Sequence, residues 1–275
     1  MAGQSKKQST YDKLRMEGRE MNADLMSAIK GLGRNVRFMS SLPPIQQLIK
    51  VESEEETNTW RERLATIFRG LLQANPNYQT VVYSRIDGES FSELVRVERH
   101  GQDSSTIRSV PRSRLRSDDS SDHLKAILAQ KPDDVLAALA CDPMCERQTG
   151  CDSVGLVVGG PVFDETTEEV FGVVMINYDI DQKLRTQLSR RSTATEIIVA
   201  CDIFGILMHS KDGQIIEGTT AHDVVEESPL FESAVQTLKS RLEFIDDTNM
   251  DIYGVRLWFI PNKLGIKYLL RQKSD

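Results

Sequence analysis

At 275 residues the chain is long enough for one large domain or two modest ones, and 39% hydrophobic with 27% charged residues is the balance of a globular protein that buries a core. A net charge of -7 excludes a surface built to neutralise a phosphate backbone, so no nucleic-acid partner is expected. No apolar run reaches the ~18 residues of a membrane span, and Met1 to Thr10 lacks the apolar stretch of a secretory signal; the expected setting is a fragment lying between two membrane helices of its parent protein.

From Leu25 the apolar positions Leu25, Ile29, Leu32, Val36 and Met39 recur at coiled-coil spacing, with Met21 one turn earlier. This predicts a long first helix whose seam packs either on a twin helix, in a parallel homodimer, or on its own domain. Pro43-Pro44 ends that helix at Ser41-Leu42, and helix resumes through Ile45, Leu48 and Ile49. The acidic run from Glu52 to Glu56 marks a helix start. Trp60, Leu64, Ile67, Phe68 and Leu71 form its apolar stripe, and Asn75-Pro76-Asn77 closes it. Trp60 serves either core packing or a pocket wall.

Tyr78 to Ile86 and Phe91 to Arg99 are predicted strands joined at Asp87-Gly88, a strong turn signal. Ser117 to Ala140 reads as two helices broken at Lys131-Pro132. Pro161 to Ile180 reads as a hairpin around an acidic, Thr-rich turn, its second strand ending in the polar tips Asn177 and Asp179. Asp181 to Ser192 is a polar helix and the expected domain boundary. Beyond it, Thr195 to His209 forms a β pair, Ser210 to Gly213 a turn, Val224 to Leu242 a helix, and Asp251 to Ile260 and Ile266 to Arg271 two final strands.

Cys141, Cys145 and Cys151 form a C-x3-C-x5-C pattern without a nearby histidine, which fits a disulfide or free surface thiols and not a metal site. Cys201 sits in an apolar run as a small core residue. His100, His123, His209 and His222 are scattered, Gly31-x-Gly33 lacks the context of a dinucleotide loop, and no nucleophile elbow or Walker motif occurs. No catalytic residue, metal or cofactor is therefore expected, and any kinase or other output activity is expected outside these residues.

Phe38 to Ile45, Trp60 to Phe68, Tyr78 through Asp87-Gly88 to Val97, Gly172 to Asp179 and Asp202 to Ser210, in this order and behind a long helix, resemble double-Cache sensors. These are the tandem PAS-like extracytoplasmic input regions of bacterial receptors, histidine kinases above all. The resemblance implies an α+β fold with a long N-terminal stalk helix over residues 1–50, a membrane-distal sensor domain over 51–190 and a smaller membrane-proximal one over 191–275. It also implies ligand sensing in a two-component system, at the periplasmic or extracellular face of the membrane. Trp60-Arg61 does not reproduce the Arg-x-Trp-Tyr run of the amino-acid-binding subgroup, so that ligand is not carried over. His209-Ser stands where His-Pro is common.

Trp60, Tyr83, Arg85, Asn177 and Asp179 are the candidate ligand contacts, because the members of each strand pair stand two apart and share a face. Arg85 would take a carboxylate and Asp179 an amine or hydroxyl of a small polar molecule; alternatively the two form an ion pair with no ligand. The competing readings of the whole chain are a structural or protein-interaction module on the same fold, and a cytosolic PAS- or GAF-like regulator.

Overall fold

The computed structural model describes residues 2–88, 90–100, 106–118, 122–131, 134–141, 154–191, 195–201, 205–216, 248–252, 255–261 and 266–272. The chain divides into two compact units, Ala28–Ile180 and a second made of Met1–Ser27 with Asp181–Asp275. The expected divisions at 50 and 190 differ from this: the long helix does not stand apart as a stalk but contributes residues to both units.

That helix, α1 (Ala2–Ser40), stops just before Pro43-Pro44. The prolines open α2 (Pro43–Lys50), in its first turn, where a missing N–H costs nothing. The stripe Met21, Leu25, Leu32, Val36 and Met39 is buried within this single chain. The seam expected to face a twin helix is thus already occupied, since the same spacing that suits a coiled coil also lays a helix on its own core. Met16 and Phe38, on the opposite side of α1, are 60% and 63% exposed. Helix α3 (Glu54–Ala74) starts at Ser53, whose Oγ accepts from the Glu56 N–H at 3.3 Å. Its buried line is Leu64, Phe68 and Leu72, and Ile67 is exposed.

The sheet of unit Ala28–Ile180 comprises β1 (Tyr78–Asp87), β2 (Ser90–His100), β3 (Thr106–Ser109), β5 (Leu136–Cys141), β6 (Val154–Phe163) and β7 (Val170–Tyr178), in the order β3-β2-β1-β7-β6-β5. The short β4 (Ser117–Asp118) also pairs with β2. Every pairing is antiparallel. The predicted turn stands: Gly88 takes a φ of 65°, open to glycine at no steric cost. One expectation fails. Among the described residues of the stretch read as two helices only α4 (Asp122–Leu128) is helical, and Leu136-Ala-Ala-Leu-Ala-Cys141 is β5, paired along its length with β6. An alanine-leucine run has helical propensity, and the vacant edge of β6 overrides it.

The second unit holds α5 (Ile180–Leu188, from Asp181 onward), β8 (Thr195–Cys201), β9 (Gly205–Lys211), β10 (Gln214–Ile216), β11 (Thr248–Ile252), β12 (Val255–Pro261) and β13 (Ile266–Gln272), ordered β10-β9-β8-β13-β12-β11. The single strand expected at Asp251 to Ile260 is a hairpin, β11 with β12. The turn after β9 is made by Asp212 and Gly213, with φ of 53° and 76°. Buried Gln187 of α5 donates through Nε2 to the Met21 carbonyl at 3.0 Å and to Asp24 at 2.9 Å. Lys183 pairs with Asp24 at 2.8 Å and Arg191 with Glu20 at 3.0 Å. These bonds tie α5 to the first part of α1, which is why the division falls at its start and not near residue 190. The helix expected at Val224 to Leu242 lies outside the described residues, as do Cys145 and Cys151, and with them the choice between a disulfide and free thiols.

Leaving out β3, β4 and β10, each unit's five strands run second-first-fifth-fourth-third across the sheet, so the two sheets repeat one topology.

Candidate functional site

Strand pairing sorts the side chains of the Ala28–Ile180 sheet into two faces, because directly paired residues point the same way. Val81, Tyr83, Val95, Val97, Val174 and Ile176 share one face, all buried. Helix α1 packs here: a Cβ on Gly160, the partner of Val174, would lie 2.9 Å from Val36.

The other face is divided. Toward the β1–β2 turn it is apolar, with Phe91 and Val173 packed on Leu124 and Ile127 of α4, and Ile86 and Met175 beside them. Toward the far end it becomes polar while staying buried. Glu98, Thr80 and Asn177 stand on one rung across β2, β1 and β7; Arg96 stands on the next, beside Val82 and Met175. Thr80, Glu98 and Arg96 are 4%, 5% and 7% exposed, so these groups are withdrawn from water on a sheet whose opposite face is hydrocarbon.

A glycine makes room for Asn177 on this half of the face. Asn177 pairs with Val157 of β6, and Gly155 lies two residues along the same face; a Cβ there would sit 2.7 Å from Asn177 Oδ1. The absent side chain is what admits the amide. Arg108 donates to Glu98 Oε1 through Nε at 3.0 Å and Nη2 at 2.8 Å, and Arg96 pairs with Glu93. The buried Glu98 carboxylate, held by two bonds from the partly exposed Arg108, is a fixed charge beside the neutral Thr80 and Asn177.

The five expected contact residues do not meet at one place. Asn177 lies on the polar half-face. Tyr83 and Arg85 point to the opposite side, and Tyr83 is fully buried in the core. Asp179 follows the end of β7, where its carboxylate accepts from Gln79 at 2.9 Å. Arg85 pairs with Gly172, seven residues from Asp179 and therefore roughly 23 Å along the strand, too far for either a shared ligand or an ion pair. Trp60 is half-buried on α3, with the Arg63 guanidinium 4.3 Å from its ring centroid. Tyr83 and Arg85 do share a face, while Asp179 lies past the last paired residue of β7; two-residue spacing could not say which faces coincide, because that depends on the register between β1 and β7. Thr80, Arg96 and Glu98 were passed over for the same reason, their alternation alone matching a solvent-facing strand.

The Tyr83 hydroxyl is buried with no hydrogen-bond partner among the described residues, and burial pushes its ionisation well above the usual tyrosine range despite the nearby Arg85 charge. Tyr83→Phe removes an unsatisfied polar group without opening a cavity. Urea unfolding is expected to show a gain of about 1 kcal/mol, where loss of a working hydrogen bond would give the opposite sign.

No family model and no curated protein matches the chain. Solved structures do, over nearly its whole length. The extracellular domain of the histidine kinase vpHK1S-Z8 aligns at a TM-score of 0.64 and 14% identity, covering 98% of this chain and 95% of that one. A domain of a sensory box/GGDEF family protein from Vibrio parahaemolyticus aligns at 0.65 and 14%, covering 98% and 96%. The ligand-binding domain of the Campylobacter jejuni chemoreceptor Tlp3 in complex with L-valine aligns at 0.61 and 11%, covering 99% and 94%. The chain thus has the α+β fold of bacterial extracellular sensor domains, with a long first helix and two antiparallel sheets, as the sequence resemblance implied.

Proposed function

We propose that the chain is the extracytoplasmic input domain of a membrane-anchored signalling receptor, of the sensor-histidine-kinase kind, and that its Ala28–Ile180 unit is the membrane-distal one and binds a small polar molecule. The observation that carries this reading is the polar half-face of the sheet, where Thr80, Glu98 and Arg96 are buried and Asn177 is half-buried. Bringing such groups onto a sheet face costs desolvation even where Arg108 and Glu93 neutralise the charges, and a sheet built only for stability would continue the apolar packing found under α4. Neighbours of the same fold include a domain solved with L-valine and the same chemoreceptor's domain solved with isoleucine. Among the described residues no helix is long and apolar enough to cross a membrane, and none of the described side chains forms a metal-binding cluster. Signal output, including any catalysis, belongs to other parts of the parent. If the receptor is a parallel dimer joined through α1, the contact uses the side carrying Met16 and Phe38, since the opposite stripe is buried in the chain's own core.

Thermal shift against a metabolite panel tests the site. A ligand at a hundred times its dissociation constant stabilises by about 2.7 kcal/mol. That gain is expected to vanish in Asn177→Ala and to fall in Thr80→Val. Stabilisation untouched by both substitutions would place the site elsewhere. The Glu98–Arg108 pair favours the other reading, a structural module whose buried Glu98 is neutralised by a partly exposed arginine, and a panel with no stabilising member would select it.

A further inference from the structure

We propose that the Ala28–Ile180 unit carries a second small-molecule site, a cleft that takes a compact dicarboxylate between Arg61 and Arg85. The cleft has a volume of about 540 Å³ and lies between the first half of α3, the turn end of β1 and β2, and the segment Arg112 to Ser117. Arg85 points to the face opposite the Thr80–Asn177 rung, while Glu93, which also lines the cleft, reaches Arg96 of the other face. Arg85, on β1, is also five residues from Thr80, roughly 17 Å along the strand, so the two places are distinct.

Four arginines line this cleft, Arg61, Arg85, Arg112 and Arg116, against the carboxylates of Glu52, Glu54 and Glu93. Those carboxylates are largely engaged. Glu93 pairs with Arg96 and accepts from the Arg116 backbone N–H at 3.0 Å, while Glu54 pairs with Arg112 at 2.5 Å. Glu52 stands exposed on the rim. Arg61, which lines the cleft, is half-buried and spends only its Nε, on the Leu94 carbonyl at 2.8 Å, so its two terminal nitrogens are without an acceptor among the described residues. Arg85 is half-buried and has no hydrogen bond or ion pair among them. Burial and then the like charge of Arg112 both work against the charged form of Arg61, with no carboxylate offsetting them.

Two guanidiniums on different elements, both short of an acceptor, are matched by an anion with two separated acidic groups, each taking a forked bond. A single inorganic anion carries one acidic group for two separate guanidiniums. An α-amino acid brings an ammonium whose available acceptor is the exposed Glu52, where water screens the attraction. Arg85 was expected from the sequence to take a carboxylate; its partner in doing so is Arg61 and not Asp179.

Isothermal titration of the whole chain with succinate tests the site, with acetate, L-valine and inorganic phosphate as comparisons. Succinate is expected to bind, more tightly than the other three, and to lose about tenfold or more in affinity in Arg85→Gln and in Arg61→Gln, the range of one charge-assisted bond. Arg61 also anchors a strand carbonyl, so Arg85→Gln, whose side chain holds nothing else, decides the case if Arg61→Gln unfolds. Asn177→Ala should leave succinate binding unchanged, which separates this site from the one on the opposite face. The proposal is overturned by absence of heat at millimolar succinate, by succinate binding that survives Arg85→Gln, or by Arg85-dependent binding of L-valine, acetate or phosphate at least as tight.

Discussion

Gly172→Ala is expected to destabilise the Ala28–Ile180 unit by about 3 kcal/mol, toward the upper end for overpacking a core. Gly172 sits in β7 opposite Arg85, where the register between β7 and β6 shifts one pair further along. A Cβ there would lie 2.2 Å from the Ser84 carbonyl oxygen and 3.1 Å from Tyr83 Cε2. The first obstacle is backbone, held in the ladder on both sides of β1, so no side chain can rotate away to make room. Relief requires the two central strands to part, and the sheet has no slack for that. Gly70→Ala is the control: nothing lies within 4 Å of a Cβ there, and in the interior of α3 the exchange should stabilise by up to about 1 kcal/mol. Urea unfolding of both variants should give midpoints displaced in opposite directions. Equal midpoints would show that β1 and β7 do not approach as described.

Phe68→Ala should cost about 3–5 kcal/mol, the usual range for removing a fully buried aromatic side chain. Phe68 is 0% exposed, on the line of Leu64 and Leu72 that turns α3 inward. Its sequence neighbour Ile67 is 36% exposed, and Ile67→Ala should shift stability by no more than about 1 kcal/mol. Adjacent positions in a helix differ by 100° around its axis, so the two substitutions report directly on which way α3 faces. Comparable losses at both would mean that the helix is rotated from the orientation described. Reading the unfolding slope beside the midpoint guards against a change in the unfolded chain being taken for a lost contact.

Local chemistry determined much of this protein from the sequence. Pro43-Pro44 ended α1, Ser53 with its acidic followers began α3, and Asp87-Gly88 turned β1 into β2, because each acts on the backbone within a few residues. The two-sheet α+β fold was legible for a related reason: hairpin signals recur, with a polar helix between them, and the same strand order is found twice.

What the tertiary structure decided is everything that depends on a partner distant in the chain. Leu136 to Cys141 carries helical propensity and became a strand because β6 offered an unpaired edge. The stripe from Met21 to Met39 could have served a dimer or a core, and burial within one chain assigned it to the core. Asn177 and Arg85 each carried a recognisable polar signal, yet period-two alternation fixes only which residues of one strand share a face. The antiparallel register of β1 against β7 put Asn177 beside Thr80 and Glu98 on one side and Arg85 near Arg61 on the other. A single expected site therefore became two places, because register is a property of the assembled sheet and a single strand's sequence does not contain it.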